Sequence, residues 1–229
     1  MYLLDFSKVL FATFMALFPV VNPIGDAPIF LSMTRSYPQP VQMVLAKKVA
    51  TYGFMLLTGS LLFGSEILDF FGVSLVVVQI AGGLVVATTG WSLLTQPNEE
   101  SSDNGSVPGT LEGAIDHAFF PLTLPLTVGP GSISIAITLG AHLRRQAGPG
   151  FEHGYPRHFL AAVMGMLLLS GTVVLCYSNA ALLIRKIGKS GTVIVTRLSA
   201  FILLCIGVQI MWNGLSTGVP QMLANIHLH

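Results

Sequence analysis

Phe18-Pro19-Val20-Val21-Asn22-Pro23-Ile24-Gly25-Asp26-Ala27-Pro28 decides the fold, because it lies inside an apolar run and cannot be one continuous helix. Each proline removes a backbone donor and clashes with the preceding turn. The stretch recurs as Phe120-Pro121-Leu122-Thr123-Leu124-Pro125-Leu126-Thr127-Val128-Gly129-Pro130, with all three prolines shifted by 102 residues. A second pairing, Phe71-Gly72-Val73-Ser74 against Ile187-Gly188-Lys189-Ser190, lies at an offset of 116. The drift between the two offsets fits a longer connection inside the second half.

Around these stretches the composition is that of a membrane protein. Of 229 residues, 52% are apolar and only 9% charged, and the mean hydropathy is +0.74. Soluble domains carry about 25% charged residues, so a water-covered globule is excluded. A net charge of +1 offers no basic field for nucleic acid. Cys176 and Cys205 sit in apolar runs and read as unpaired small hydrophobes.

Charges punctuate the chain, and the gaps between them give six spans near residues 7–34, 47–68, 72–95, 117–141, 158–184 and 196–216. Each holds the roughly 20 apolar residues that cross a bilayer. Five spans result if the first is re-entrant. Phe11 to Val21 runs into the motif without a small-residue cleavage site, so no cleaved signal peptide is expected. The fold class is therefore all-α and polytopic. Three crossings reverse the side, so residues 1–95 and 117–217 read as two inverted three-helix repeats, each with a broken first helix. Residues 96–116 form an acidic, Ser- and Gly-rich connection expected to be mobile, and 218–229 a C-terminal tail. His142, Glu152, His153 and His158 lack a zinc-type spacing and read as solvated loop.

Lys8, Arg144, Arg145 and Arg157 fall on one side; Arg35, Lys47, Lys48, Arg185, Lys186, Lys189 and Arg197 fall on the other. The larger basic group belongs inside, which puts both termini outside.

An interrupted backbone at membrane depth is tolerated only where protein or water satisfies it. The two breaks are thus expected to face each other near mid-membrane. Asp26, with Pro28 in the next turn, and Gly129 before Pro130 read as starts of second half-helices, whose N–H groups suit a carboxylate. Asn22, Gly25, Asp26, Thr123, Thr127, Gly129, Gly131 and Ser132 are the candidate substrate- or ion-binding residues, with Ser134 a further hydroxyl. The alternative is a pair of proline kinks that only shape packing. Asp26, the one acidic residue placed inside a span, is either a coupling site for sodium or a proton, or a capping aspartate. Ala81-Gly82-Gly83, Ala87, Gly90, Ala161 and Gly165 are small residues suited to close helix packing. Gln79, Asn179, Gln209 and Asn213 read as interhelical or interfacial amides, and Trp91 and Trp212 as interfacial anchors.

With these motifs in place, Asn22-Pro23-Ile24-Gly25-Asp26-Ala27-Pro28-Ile29-Phe30 and Pro125-Leu126-Thr127-Val128-Gly129-Pro130-Gly131-Ser132-Ile133 resemble the MarC family of bacterial and archaeal inner-membrane proteins. The resemblance covers nearly the whole chain. It implies a relation to LysE-type exporters and transport of small neutral amino acids, such as glycine and alanine, coupled to a cation gradient. The family's pattern usually carries Asn where this chain has Asp26. Three functions compete: a secondary transporter of a small zwitterion, a non-transporting scaffold or envelope-stress protein, and an intramembrane enzyme. The last is disfavoured because neither break contains an arginine and no base stands beside Ser132. No cofactor is expected. The partners are the bilayer, a small solute and a coupling cation, and a homo-oligomer is left open.

Overall fold

The computed structural model describes residues 2–95, 115, 117–147 and 155–226. The expected mobile connection 96–116, apart from residue 115, and Glu152 and His153 lie outside the described residues. Eight elements follow one another: α1 (Tyr2–Val21), α2 (Pro23–Thr34), α3 (Gln39–Phe70), α4 (Leu75–Thr95), a π-wound segment α5 (Ala118–Thr127), α6 (Pro130–Ala147), α7 (Tyr155–Ser178) and α8 (Ala180–Ile226). No strand occurs among the described residues.

Four helices are long and apolar enough to cross a bilayer: Gln39–Phe70, Leu75–Thr95, Pro156–Ser178 and Val193–Pro220. Two bent pairs bring the number to six if each is one span. Asp5–Val21 and Pro23–Thr34 meet at 42°, and Ala118–Thr127 and Pro130–Arg144 at 72°. Both bends fall in the proline stretches, where the backbone lacks the donors to carry a helix through. Large apolar side chains such as Met55, Phe63, Leu175, Phe201 and Trp212 point outward, as a lipid-facing surface requires.

The fifth crossing, expected at 158–184, comprises α7 and the first turns of α8. Buried positions Ala162, Met166, Leu169, Val173, Tyr177 and Ala180 keep helical spacing across Asn179, so the chain runs on past Ser178. The non-helical residue is Gly188, at φ 75° and ψ 167°. Its counterpart Gly72, at φ 67°, ends α3. There the Gly72 N–H reaches the Asp69 carbonyl at 3.1 Å and the Val73 N–H the Leu68 carbonyl at 2.9 Å, a Schellman closure that favours glycine. These two glycines, paired at the offset of 116, are the positive-φ glycines of the described chain.

Packing repeats between the halves. α4 lies on α8 and α3 on α7, each element against its own counterpart; α1–α7 is matched by α5–α3, α2–α8 by α6–α4, and α2–α7 by α6–α3. The α4–α8 seam is backbone-close. A Cβ on Gly83 would lie 2.7 Å from the Gly207 carbonyl, and one on Gly90 would lie 2.8 Å from that of Ala200. Gly165 of α7 similarly admits the Leu10 carbonyl of α1 at 2.6 Å. The small residues therefore set the helix spacing, as expected for association within lipid. At one end of the bundle, Arg144 bonds the Leu62 carbonyl and pairs with Glu66, both on α3.

Candidate functional site: two interrupted helices around one cavity

The first interruption is a single residue. Asn22 takes a left-handed conformation, φ 46° and ψ 52°, and its side-chain oxygen accepts the Gly25 N–H at 3.2 Å. Pro23 occupies the first helical position, where its missing donor costs nothing. The cap of α2 is thus Asn22 and not Asp26, which corrects the expectation of an aspartate cap. Two residue types compete for such a position, and the proline after Asn22 decides between them. Gly25 packs against the Asn22 amide so closely that any side chain there would displace it.

The second interruption is longer. Phe120-Pro121-Leu122-Thr123 and Leu124-Pro125-Leu126-Thr127 form a tandem tetrad, with cis peptide bonds before both prolines. Each threonine hydroxyl donates to a carbonyl five residues back, Thr123 to Ala118 at 2.7 Å and Thr127 to Leu122 at 2.8 Å. Both side chains are thereby turned back onto the backbone of their own segment. Thr127 also meets the Tyr177 hydroxyl at 2.9 Å, and Tyr177 stacks on Phe30 with ring centroids 4.4 Å apart. Pro130 then opens α6 as expected. The register of prolines and of breaks differs: Pro23 starts α2, whereas its sequence counterpart Pro125 lies within α5.

One cavity of about 470 Å³ collects both breaks. Asn22, Asp26, Gly129, Gly131 and Ser132 line it, together with Pro125, Pro130 and apolar residues of α4 and α8 such as Val86 and Leu203. Three of the candidate residues stand elsewhere. Gly25 is behind the Asn22 cap, and Thr123 and Thr127 are buried in the core with the hydrogen bonds given above. Their signal in the sequence was the tandem Pro-Leu-Thr, whose hydroxyls bond the backbone of their own segment. Ser134 is likewise engaged, donating to the Val78 carbonyl at 3.0 Å.

The polar groups of the cavity are few and distinct. Asp26 is 8% exposed, and its carboxyl group has no hydrogen-bond or ion-pair partner among the described residues. In the same cavity the first turn of α6 presents the N–H groups of Gly131 and Ser132, which precede the first helical bond, Ile133 N–H to the Gly129 carbonyl at 3.2 Å. The Ser132 hydroxyl donates to the same Gly129 carbonyl at 2.9 Å. The site therefore offers one buried carboxyl group, one positive dipole end and an apolar wall.

The family model described as "MarC family integral membrane protein" matches residues 7–219. The chain belongs to the MarC family. Among its relatives, a UPF0056 membrane protein of Methanocaldococcus jannaschii is 32% identical over 203 residues, covering 88% of this chain and 93% of the relative. One from Archaeoglobus fulgidus is 32% identical over 93% of this chain and 94% of its own length. The UPF0056 inner membrane protein MarC of Salmonella typhimurium is 27% identical over 93% of this chain and 96% of its own length. No solved structure matches. As a MarC-family member the chain is an integral membrane protein, and its proline stretches and cavity all fall within the matched residues.

Proposed function

We propose that this MarC-family protein is a secondary transporter of small neutral amino acids or similar small zwitterions, working by alternating access around the paired breaks. The observation that carries the proposal is the joint cavity, lined both by the buried Asp26 carboxyl group and by the first turn of α6. A zwitterion matches this arrangement at both ends. Its ammonium group pairs with Asp26 and its carboxylate accepts from the Gly131 and Ser132 N–H groups. The wall of Val20, Ile29, Val85, Val86, Leu126 and Leu203 suits a short apolar side chain. A volume of about 470 Å³ is in the range of pockets for small molecules.

The Asp26 carboxyl group and the Asn22 amide also offer oxygen atoms to a coupling sodium ion, and Asp26 a seat for a coupling proton. Catalysis has no part in this reading, and the basic residues favour both termini on the outer face.

The test is uptake of labelled glycine and alanine into proteoliposomes under imposed sodium or proton gradients. Saturable, gradient-dependent flux is expected, and Asp26→Asn should abolish its dependence on the gradient. Absence of saturable flux for any small amino acid would overturn transport in favour of a scaffold role. Unchanged coupling in Asp26→Asn would remove Asp26 from the coupling site.

A further inference from the structure

A second cavity of about 440 Å³ lies between α1, α4, α6 and α8, lined by Gln79, Thr138, His142 and Asn213 among apolar residues. All four helices also contribute to the cavity at the breaks, beside α2 and α5, and on each of the four the two sets of lining residues occupy separate stretches. On α1, Met15 and Ala16 line the second cavity and Val20 the first. On α6, Ile135 to His142 follow Pro130 to Ser132, and on α8, Ile206 to Asn213 follow Leu203. On the oppositely running α4, Gln79 precedes Val85 to Leu93. The cavities are therefore stacked end to end. From Gln79 to Leu93 the stack extends about 21 Å at about 1.5 Å per residue, most of a bilayer core of about 30 Å.

A thin septum separates them. The Ser134 hydroxyl donates to the Val78 carbonyl at 3.0 Å, and Gly82 faces the Ser134 side chain so closely that a Cβ would lie 2.5 Å from it. The second cavity has polar groups of its own. The Gln79 amide has no hydrogen-bond partner among the described residues, and Gln209 donates to the Asn213 oxygen at 2.9 Å, leaving the Asn213 amide hydrogens to the cavity side.

We infer that this second cavity is a water-filled vestibule for the same small zwitterion, open to the face at which α1 begins, while the break cavity opens to the opposite face. The inference rests on the transport reading and supplies its missing half: the α4–α6 contact at Gly82 and Ser134 becomes the barrier between two half-paths. Neutral amides and a threonine hydroxyl give the solute hydrogen bonds, where the break cavity has the Asp26 carboxyl group.

The test reads water access from each side. In a chain with Cys176→Ala and Cys205→Ala, single cysteines are placed at Thr138, Asn213 and Thr89 and treated with a membrane-impermeant maleimide in vesicles of both orientations. Thr138→Cys and Asn213→Cys should react from the face at which α1 begins, and Thr89→Cys from the other. Glycine or alanine at ten times its Kd should slow Thr138→Cys labelling about tenfold, because the free fraction falls as 1/(1 + [L]/Kd). Labelling of all three from one face, no labelling of Thr138→Cys and Asn213→Cys, or no protection by either amino acid would overturn the vestibule. Labelling does not depend on flux, so vesicles that show the two-sided pattern without uptake would overturn the transport reading and leave the two-cavity arrangement standing.

Discussion

Asn22 holds a backbone conformation that costs most residues about 1–2 kcal/mol, and it repays this by capping α2. The two roles separate by substitution. Asn22→Gly keeps the left-handed turn and loses the cap; Asn22→Ala loses both. In detergent, Asn22→Ala should lower the thermal midpoint by the equivalent of about 2 kcal/mol and Asn22→Gly by less than half of that. Equal loss in the two variants would show that the conformation at Asn22 is not what ends α1. This distinction was hidden in the sequence, where Asn22 and Asp26 are both good capping residues. Only the position of α2 relative to Pro23 reveals which one caps. The prolines themselves were legible, since a missing donor in an apolar run has few outcomes.

Between elements, glycine acts through closeness. Gly207 receives the Ala87 and Gly83 backbone of α4, and a side chain there must force the seam open. Gly171 on α7 has nothing within 4 Å of where a Cβ would stand. Gly207→Leu is expected to abolish folded, monodisperse protein on size exclusion, whereas Gly171→Ala should raise the midpoint by up to the equivalent of about 1 kcal/mol. Well-behaved Gly207→Leu protein would mean that α4 and α8 are not in backbone contact. The small-residue spacing made this seam readable from Gly83, Ala87 and Gly90. The run of helix past Asn179 was legible in the charge gap up to Arg185, and the backbone turns three residues later, at Gly188. Charge position marks where a crossing leaves the lipid, and it says little about where the helix stops.

At the scale of the whole molecule, the two proline stretches had to be brought together before their chemistry made sense. Their repetition and their meeting could be read from the sequence; the withdrawal of Thr123 and Thr127 into the core could not. The amides Gln79 and Asn213 looked like isolated interhelical groups because nothing in their spacing shows that α4 and α8 bring them to one hollow. Gly129 offers a test of the cavity that spares the fold. Its Cβ position meets only the Pro125 carbonyl, at 3.6 Å, so Gly129→Leu has room at the backbone and extends its side chain into the hollow. The variant should insert and melt like the parent protein while its amino-acid flux falls about tenfold or more, the effect of about 1.4 kcal/mol or more of lost binding. Full flux would move the substrate away from the breaks.

The clasp formed by Arg144 with Leu62 and Glu66 has a mechanical consequence. Further along the same contact, Gly140 sits against the Leu61 backbone and Gly64 against Ile137. α3 and α6 are thus riveted at several levels and must swing as a single lever. Its natural fulcra are the unwound Val128–Gly129 link at one end and the Gly72 turn at the other.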